Sequence, residues 1–347
     1  MRPDLKTARE RAEECLKIAQ KAKDPELLLE AHMALGAAFL WLGDMVSARE
    51  HNEQGIDIYD PKKYGNHTFI YGQDPGVFCL SYCAWALWFL GYPDKALQRA
   101  EQALTVGQDL SHPYSLGFAL RSIAVVNQFM LDTQATLKWA DTLIKLSNEQ
   151  GFTYWLAWGT ILRGWALSKQ GQGEEGVSQI IEGLTIHKDT EGELARPYFL
   201  ALQAEANLEI GKPEDGLRAL GEAECIVNKN DERFYEAELH RLKGELLLLQ
   251  SRGGSRTAPT EISMLMETDQ TVLTEAEACF RQALEVAHWQ NAKSLELRAV
   301  MSLSSLLQRQ GKKEEVRKML AEIYGWFTEG FDTGDLREAK TLLEGLS

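Results

Sequence analysis

The stretch RPYFLALQAEANLEIGKPEDGLRALGEAECIV, residues 196–227, contains the pattern that decides the fold. Its first half has the apolar spacing of an amphipathic helix, begins beside Pro197 and ends at Gly211. Its second half opens with Pro213 and two acidic residues, which helices favour in their first turn. No comparable window alternates with a period of two residues, so strands are not expected. The stretch therefore predicts a helical hairpin in an all-α chain.

The same turn recurs along the chain at intervals of about forty residues, which indicates internal repeats. A glycine follows a long apolar helix pattern at five of these turns, Gly43, Gly91, Gly171, Gly211 and Gly311. The period predicts two further turns without a glycine, at Leu131 and Ser251. Two intervals are longer than the rest. We assign the excess to a short Pro- and Gly-rich segment at 60–75 and to an inserted loop at 251–270.

Residues that were not used to find the repeat support this register. The two helices of a hairpin cross most closely near the turn, where only small side chains fit. The residues seven positions before each turn are all small: Gly36, Ala84, Ala124, Gly164, Ala204, Gly244 and Ser304. Five of the seven residues in the corresponding place of the second helix are Ala or Gly, with Gly176 as one example.

These observations predict a single right-handed superhelix of about seven helix pairs, each touching only its neighbours, with an open inner wall as its working surface. The predicted ranges are a half-repeat at 1–23, helix pairs at 26–59, 76–108, 113–149, 152–188, 195–228, 233–288 and 291–327, and a terminal helix at 332–346. An opening half-repeat suggests that the chain continues a longer protein.

Composition narrows the possible partners and the cellular setting. The 347 residues carry 51 acidic and 37 basic side chains, a formal net charge of -14, which disfavours nucleic acid as a partner. The five cysteines are scattered and include no C-x-x-C pair, as expected for a reducing compartment. A metal site at Cys79 and Cys83 with His51 or His67 is a minor alternative, because no second ligand pair matches it. The sequence shows no signal peptide and no membrane span, so we expect a cytoplasmic protein with no metal or cofactor.

The first hairpin resembles the tetratricopeptide repeat. Leu35, Gly36, Phe39, Gly43, Asp44, Ala48 and the closing Asp60-Pro61 stand where that repeat has its signature residues. The later units depart from it, because they run for about forty residues instead of about thirty-four. The resemblance implies a tetratricopeptide-like solenoid.

Longer segments are similar to the C-terminal repeat region of bacterial proteins that carry a class III adenylate or guanylate cyclase domain and an AAA-like signalling ATPase. These segments include YGQDPGVFCLSYCAWALWFLGYPDKAL at 71–97 and YGWFTEGFDTGDLREAKTLL at 324–343. The chain has no G-x-x-x-x-G-K-[ST] motif of its own. The resemblance implies a non-catalytic sensor or interaction arm, with a protein, a peptide or the upstream modules as its partner.

Candidate binding residues lie at fixed positions before the turns, where the inner wall is expected. Counting thirteen residues back gives Phe78, Phe118, Trp158 and Tyr198, and also Glu30, Glu238 and Arg298. Counting ten, six and three residues back from the turns adds further aromatic rings and the guanidinium groups of Arg121 and Arg241. From this set we predict a concave groove for a peptide, formed by Trp85, Trp88, Arg121, Trp158, Trp165 and Arg241. The competing interpretation is that these rings fill gaps between successive repeats.

Two other functional classes stay open at this stage. One is an all-helical toroid enzyme acting on sugars or isoprenoids, with aromatic residues lining a closed ring. Acidic pairs such as Glu174-Glu175 and Glu314-Glu315 fall in first turns of helices, where they complement the helix dipole and need not be catalytic. The other class is the arm of an ATPase-linked transcriptional regulator, which has the same fold and differs only in the neighbouring domain.

Overall fold

The computed structural model describes residues 4–64, 67–190, 192–254 and 262–346, and within these ranges every regular element is a helix. In chain order the helices are α1 (Leu5–Ala22), α2 (Pro25–Leu42), α3 (Met45–Ile58), α4 (Pro61–Tyr64), α5 (His67–Tyr71), α6 (Pro75–Phe89), α7 (Pro93–Asp109), α8 (Pro113–Phe129), α9 (Thr133–Gln150), α10 (Thr153–Lys169), α11 (Gly173–Asp189), α12 (Arg196–Glu209), α13 (Pro213–Asn230), α14 (Glu236–Gly254), α15 (Ile262–Gln290), α16 (Lys293–Arg309), α17 (Lys313–Tyr324) and α18 (Gly334–Gly345). The predicted all-α class is confirmed.

Capping residues and turn conformations explain where the helices begin and end. Asp24, Asp44 and Asp132 each precede a helix, and a carboxylate oxygen of each accepts a hydrogen bond from a backbone N–H of its first turn. All five predicted turn glycines have left-handed backbone, with φ between 70° at Gly211 and 88° at Gly43. Leu131 adopts the same conformation with φ of 60°. The register predicted at that position is therefore confirmed, although a leucine is disfavoured there.

The hairpins close on small residues, as the sequence predicted. In the pair α10/α11, a Cβ added to Gly164 would lie 2.6 Å from the carbonyl oxygen of Gly176, and one added to Gly176 would lie 2.5 Å from the carbonyl oxygen of Gly164. Ala84, Ala124 and Ala204 at the equivalent place in other pairs are completely buried. The absence of larger side chains at these crossings is what lets the helices of each pair approach closely.

The helices form two layers. The first helices of the pairs, α2, α6, α8, α10, α12, α14 and α16, each contact the next and build the inner layer. Each second helix packs on its own partner and on the first helix of the following pair, and so lies outside. This arrangement is an α-α superhelix of the tetratricopeptide kind.

The inner layer closes on itself, which the sequence did not predict. The Trp41 ring of α2 packs edge-on against Phe234 with ring centroids 4.9 Å apart, and Phe129 of α8 stacks on Tyr235 at 5.9 Å. Both partners lie in the turn just before α14, several repeats further along the chain. The expectation that hairpins touch only their neighbours around an open inner wall is therefore wrong. Burial of these large aromatic rings, which would otherwise face water, accounts for the closure.

Polar contacts fix the two halves of the chain to each other around this aromatic interior. The Ser294 hydroxyl donates to the carbonyl oxygen of Trp88 at 2.6 Å. The Arg233 N–H donates to the carbonyl oxygen of Trp41 at 2.8 Å. These bonds satisfy backbone groups at the ends of α2 and α6, and they place α14 and α16 against the N-terminal repeats.

Both predicted insertions contain helices, which corrects the sequence analysis. Helix α14 runs through Ser251 to Gly254 and α15 begins at Ile262, so the predicted inserted loop 251–270 is mostly helical backbone, with residues 255–261 outside the described part. The sequence from 260 to 290 has no Gly or Pro, and nothing in it prevents a continuous helix. The segment 60–75 likewise holds the short helices α4 and α5, although its content of Pro and Gly disfavours helix.

Helix α2 also departs from an expectation. Among the described helices, it alone has the length and composition of a membrane span, with a mean hydropathy of 1.2 over 18 residues. Half of those residues are buried within the protein, where α2 contacts α1, α3 and α6. Leu29, Leu35 and Leu40 are each at most 1% exposed. The apolar composition of α2 is thus accounted for by its packing in the core.

Candidate functional site: a charged cavity on the inner helices

Five of the six residues predicted to form a groove are buried in the interior. Trp85, Trp158 and Trp165 are completely inaccessible, and Arg121 and Trp88 are 1% and 2% exposed. They therefore do not line an open groove, and that part of the prediction is wrong. The competing interpretation, in which the rings fill gaps between repeats, describes their packing: Phe78 lies 4.4 Å from Phe118 across two successive repeats, measured between ring centroids.

Arg121 occupies an aromatic cage instead of a binding surface. Its guanidinium carbon lies 4.1 Å from the ring centroid of Phe118, 4.6 Å from Trp85 and 4.9 Å from Trp158. Within the described residues it has no ion pair, and its Nε and Nη2 atoms have no hydrogen-bond partner. Cation–π contacts are thus the main compensation for burying this charge.

Arg241, the sixth predicted residue, lines a cavity of about 190 Å³. Helices α10, α12, α14, α16 and α18 all contribute to the wall, together with the turn after α8. The lining residues are Leu131, Lys169, Glu205, Glu238, Arg241, Glu245, Arg298, Met301, Ser302, Ser305, Asp335 and Glu338. Inner helices of successive repeats therefore converge on one largely charged space.

One side of the cavity is built around Glu205. Its carboxylate accepts a hydrogen bond from Trp165 Nε1 at 2.7 Å and pairs with Lys169 at 2.7 Å. Burial alone would raise the pKa of Glu205, but Lys169 and the Trp165 hydrogen bond outweigh it and hold this pKa below its usual value. Lys169 also pairs with Glu209 at 2.6 Å. Trp165, which was predicted to contact a partner directly, instead positions a carboxylate of the cavity.

The floor of the cavity is formed by two guanidinium groups and their acids. Arg241 donates from Nε and Nη2 to the two carboxylate oxygens of Glu238, at 2.9 and 2.7 Å. Arg298 donates from Nε to Asp335 at 2.9 Å and from Nη2 to the carbonyl oxygen of Phe129 at 2.6 Å, and it lies 3.8 Å from Glu238. Burial disfavours the charge on Arg241, but Glu238 outweighs it, so the pKa of Arg241 is raised. The bidentate geometry holds Arg241 in place.

Carboxylates outnumber cations in the wall. The five acids are Glu205, Glu238, Glu245, Asp335 and Glu338, against the three cations Lys169, Arg241 and Arg298. Burial raises the pKa of Asp335 by more than the neighbouring Arg298 lowers it. Partial burial, followed by the charge of Asp335, also raises the pKa of Glu338. Burial is the larger cause of both raised pKa values, so the nearby cations do not fully offset the cost of charging these two carboxyl groups.

The repeat register contained a signal for the cavity that the sequence analysis did not use. Counting six back from successive turns gives Trp165, then Glu205, Glu245 and Ser305. Counting thirteen back gives Glu238 and Arg298, at the position where Phe78, Phe118, Trp158 and Tyr198 stand in the earlier repeats. The prediction selected rings and missed the charged residues that stand at the same positions in the later repeats.

The residues considered for a metal site are engaged elsewhere. Cys79 and Cys83 are buried, and burial raises the pKa of Cys83 to about 12. His51 Nδ1 lies 2.9 Å from Nδ1 of His32, and His67 Nδ1 lies 2.7 Å from Glu30. In the part of the chain that the structure describes, no group of three or more His, Cys, Asp or Glu side chains is arranged to hold a metal ion.

The repeated hairpins and their shared inner layer define the chain as a tetratricopeptide-like helical-repeat protein. No family model matches it. The uncharacterized protein R02095 of Rhizobium meliloti (strain 1021) is 22% identical over 304 residues, which cover 87% of this chain. The chain spans only 28% of the length of that relative.

Solved structures share this fold at low sequence identity. A Rap protein complexed with Competence and Sporulation Factor is 13% identical, with a TM-score of 0.51 over 84% of this chain and 77% of that one. A monomeric mutant of IFIT1 with m7Gppp-AAAA is 15% identical, with a TM-score of 0.53 over 92% of this chain and 66% of that one. At these identities the similarity concerns the fold alone.

Proposed function

We propose that this chain is a non-catalytic protein-interaction module that binds a segment of a protein partner at the charged cavity. The observation that carries the proposal is the convergence of five helices, the first helices of four successive pairs and the terminal helix, on one accessible space lined by fixed ion pairs. Charged and polar groups that are held in place by their neighbours recognise a complementary segment at a low entropic cost.

The partner that we favour is a domain or segment of the same signalling polypeptide. The resemblance to the repeat region of cyclase and ATPase proteins supports this choice, as does the much greater length of the Rhizobium meliloti relative. In this proposal the module acts in the cytoplasm as a regulatory arm and takes neither nucleic acid nor a membrane as its partner. Its net charge of -14 supports the first of these exclusions.

The interior argues against the toroid-enzyme alternative. In such an enzyme a ring of helices surrounds a central substrate cavity, and a pair of carboxylates flanks the scissile bond. Here the space inside the inner layer is occupied by rings such as Trp85, Phe129 and Tyr235. Two acids of the cavity wall, Glu205 and Glu238, are each held by a cation, so these two are not free to act as an acid and base pair.

Site-specific photo-crosslinking in cells tests the proposal. A photoreactive amino acid replaces Ser305, which is exposed at the cavity. A control protein carries the same amino acid at Gly221, which is exposed on the outer helix α13. A Cβ added at Gly221 has no neighbouring atom within 4 Å, so the control position accepts the larger side chain. We expect a protein adduct from position 305 and none from 221, with the crosslinked peptide mapping to one defined segment. Equal labelling at both positions, or labelling at neither, would contradict a binding site in the cavity.

A further inference from the structure

We infer that the cavity receives a basic side chain, a lysine or an arginine, from the bound segment. This inference rests on the proposed function and specifies its ligand. It follows from three properties of the wall, namely the pairing of its cations, the position of the two acids that lack a close cation and the place of its few apolar groups.

Every cation in the wall is already paired closely with a carboxylate. Lys169 lies 2.7 Å from Glu205, Arg241 lies 2.7 Å from Glu238, and Arg298 lies 2.9 Å from an Asp335 oxygen. An acidic ligand would have to displace one of these internal carboxylates, and burying a carboxylate without its partner is costly. The cavity is therefore poorly suited to an anion.

Two acids at the cavity lack a close cation. Glu338, an exposed residue of α18, has no ion pair within the described residues. Glu245 makes only a longer contact of 3.7 Å with Arg241, which is bound in a bidentate manner to Glu238. The groups around Glu338 are Asp335 on its own helix, Arg241 and Glu245 on α14, and Arg298 on α16. An incoming ammonium or guanidinium group would supply the missing positive charge.

The size and the apolar part of the cavity fit one extended basic side chain. Its volume of about 190 Å³ is several times the ~30 Å³ that one water occupies in the liquid. Leu131 and Met301 are its apolar lining residues. Lysine and arginine bury an aliphatic stem against apolar groups while the charged head meets acids, and this wall offers both.

Methyl NMR of the full chain, with Met301 as the reporter, tests the inference. The probes are the Nα-acetyl methylamides of lysine, arginine and norleucine, and the last matches the lysine stem without its charge. We expect the lysine and arginine probes to shift the Met301 methyl resonance saturably and the norleucine probe to leave it unchanged. Comparison of the lysine and arginine curves decides which head group the cavity prefers.

Two variants that each remove one negative charge test whether Glu245 and Glu338 bind the probe. Glu245→Gln and Glu338→Gln should each weaken the preferred basic probe by roughly three- to tenfold. Glu344→Gln, which removes an exposed acid of α18 outside the cavity, should change it by less than about twofold. Equal shifts with norleucine, no saturable shift with any probe, or equal effects of all three variants would overturn the inference. If position 305 still crosslinks a partner in that case, the interaction function stands and only the ligand assignment fails.

Discussion

Trp165 and Glu205 occupy the same position in successive repeats, forty residues apart, and are joined by a hydrogen bond of 2.7 Å from Trp165 Nε1 to Glu205 Oε2. Trp165 belongs to the buried aromatic interior, whereas Glu205 faces the cavity. This pair marks the place where the inner layer changes from an aromatic surface to a charged one. The packing of Trp165 in the aromatic interior thereby holds in place the Glu205 carboxylate, which the later repeats contribute to the cavity wall.

Loss of this hydrogen bond should cost more than the loss of ring volume alone. We expect Trp165→Phe to lower the free energy of unfolding by about 1–2 kcal/mol more than Trp155→Phe does, because it removes a buried bond to a charged acceptor. Trp155 is 1% exposed, and its Nε1 has no hydrogen-bond partner among the described residues, so it is a matched control. Urea unfolding followed by circular dichroism measures the difference. Equal losses would show that the bond contributes nothing.

The glycine crossing of α10 and α11 is expected to tolerate no side chain. Gly164→Ala should destabilise the chain by about 1–3 kcal/mol, because the added Cβ meets backbone atoms that cannot move aside cheaply. Gly221→Ala, in an exposed part of α13 with no atom within 4 Å, should stabilise it by about 0.5–1 kcal/mol through the backbone entropy of the unfolded state. Thermal unfolding of the two variants should shift in opposite directions, and a Gly164→Ala protein as stable as wild type would contradict the crossing.

The two buried arginines should respond differently to removal of their charge. Arg298→Met leaves Asp335 buried beside Glu238 without its cation, and we expect a loss of about 3–5 kcal/mol. Arg121→Met strands no carboxylate in the described structure and exchanges cation–π contacts for apolar packing, so its cost should stay below about 1 kcal/mol. Equilibrium denaturation of both variants checks the contrast. Comparable losses would mean that Arg121 has compensation other than its aromatic cage.

A buried carboxyl between α13 and α14 should make stability fall as the pH rises. Glu232 is 1% exposed and accepts a hydrogen bond from the Ala195 N–H at 2.8 Å, and burial raises its pKa to about 8. Between the pKa of an unfolded glutamate, near 4.3, and about 8, the folded chain binds more protons than the unfolded chain, so the free energy of unfolding decreases with pH.

Glu232→Gln keeps a hydrogen-bond acceptor for Ala195 but cannot ionise. We expect it to match wild type near pH 4 and to exceed it in stability by several kcal/mol at pH 8.5, in urea unfolding at both values. A pH profile that does not change in the variant would show that Glu232 does not cause the decline.

The sequence was sufficient for the repeat because the repeat depends on local chemistry. Turn glycines, small residues at the crossings and acids in first turns act within one hairpin, and even the turn without a glycine at Leu131 followed from spacing. The contact between Trp41 and Phe234 joins residues nearly two hundred positions apart, and no local pattern specifies it. This closure decides which inner positions are buried and which face the cavity, so five of the six predicted site residues were misplaced and only Arg241 lies in the wall.

The central claim, that the charged cavity is the recognition site, is tested most directly by charge reversal. The measurement is the affinity of the partner segment identified by crosslinking for the double variant Glu245→Lys with Glu338→Lys, compared with Glu222→Lys with Glu344→Lys, which changes the net charge equally outside the cavity. We predict a loss of roughly a hundredfold or more for the first variant and less than about threefold for the second. Equal losses for the two variants, or none for the first, would contradict the account.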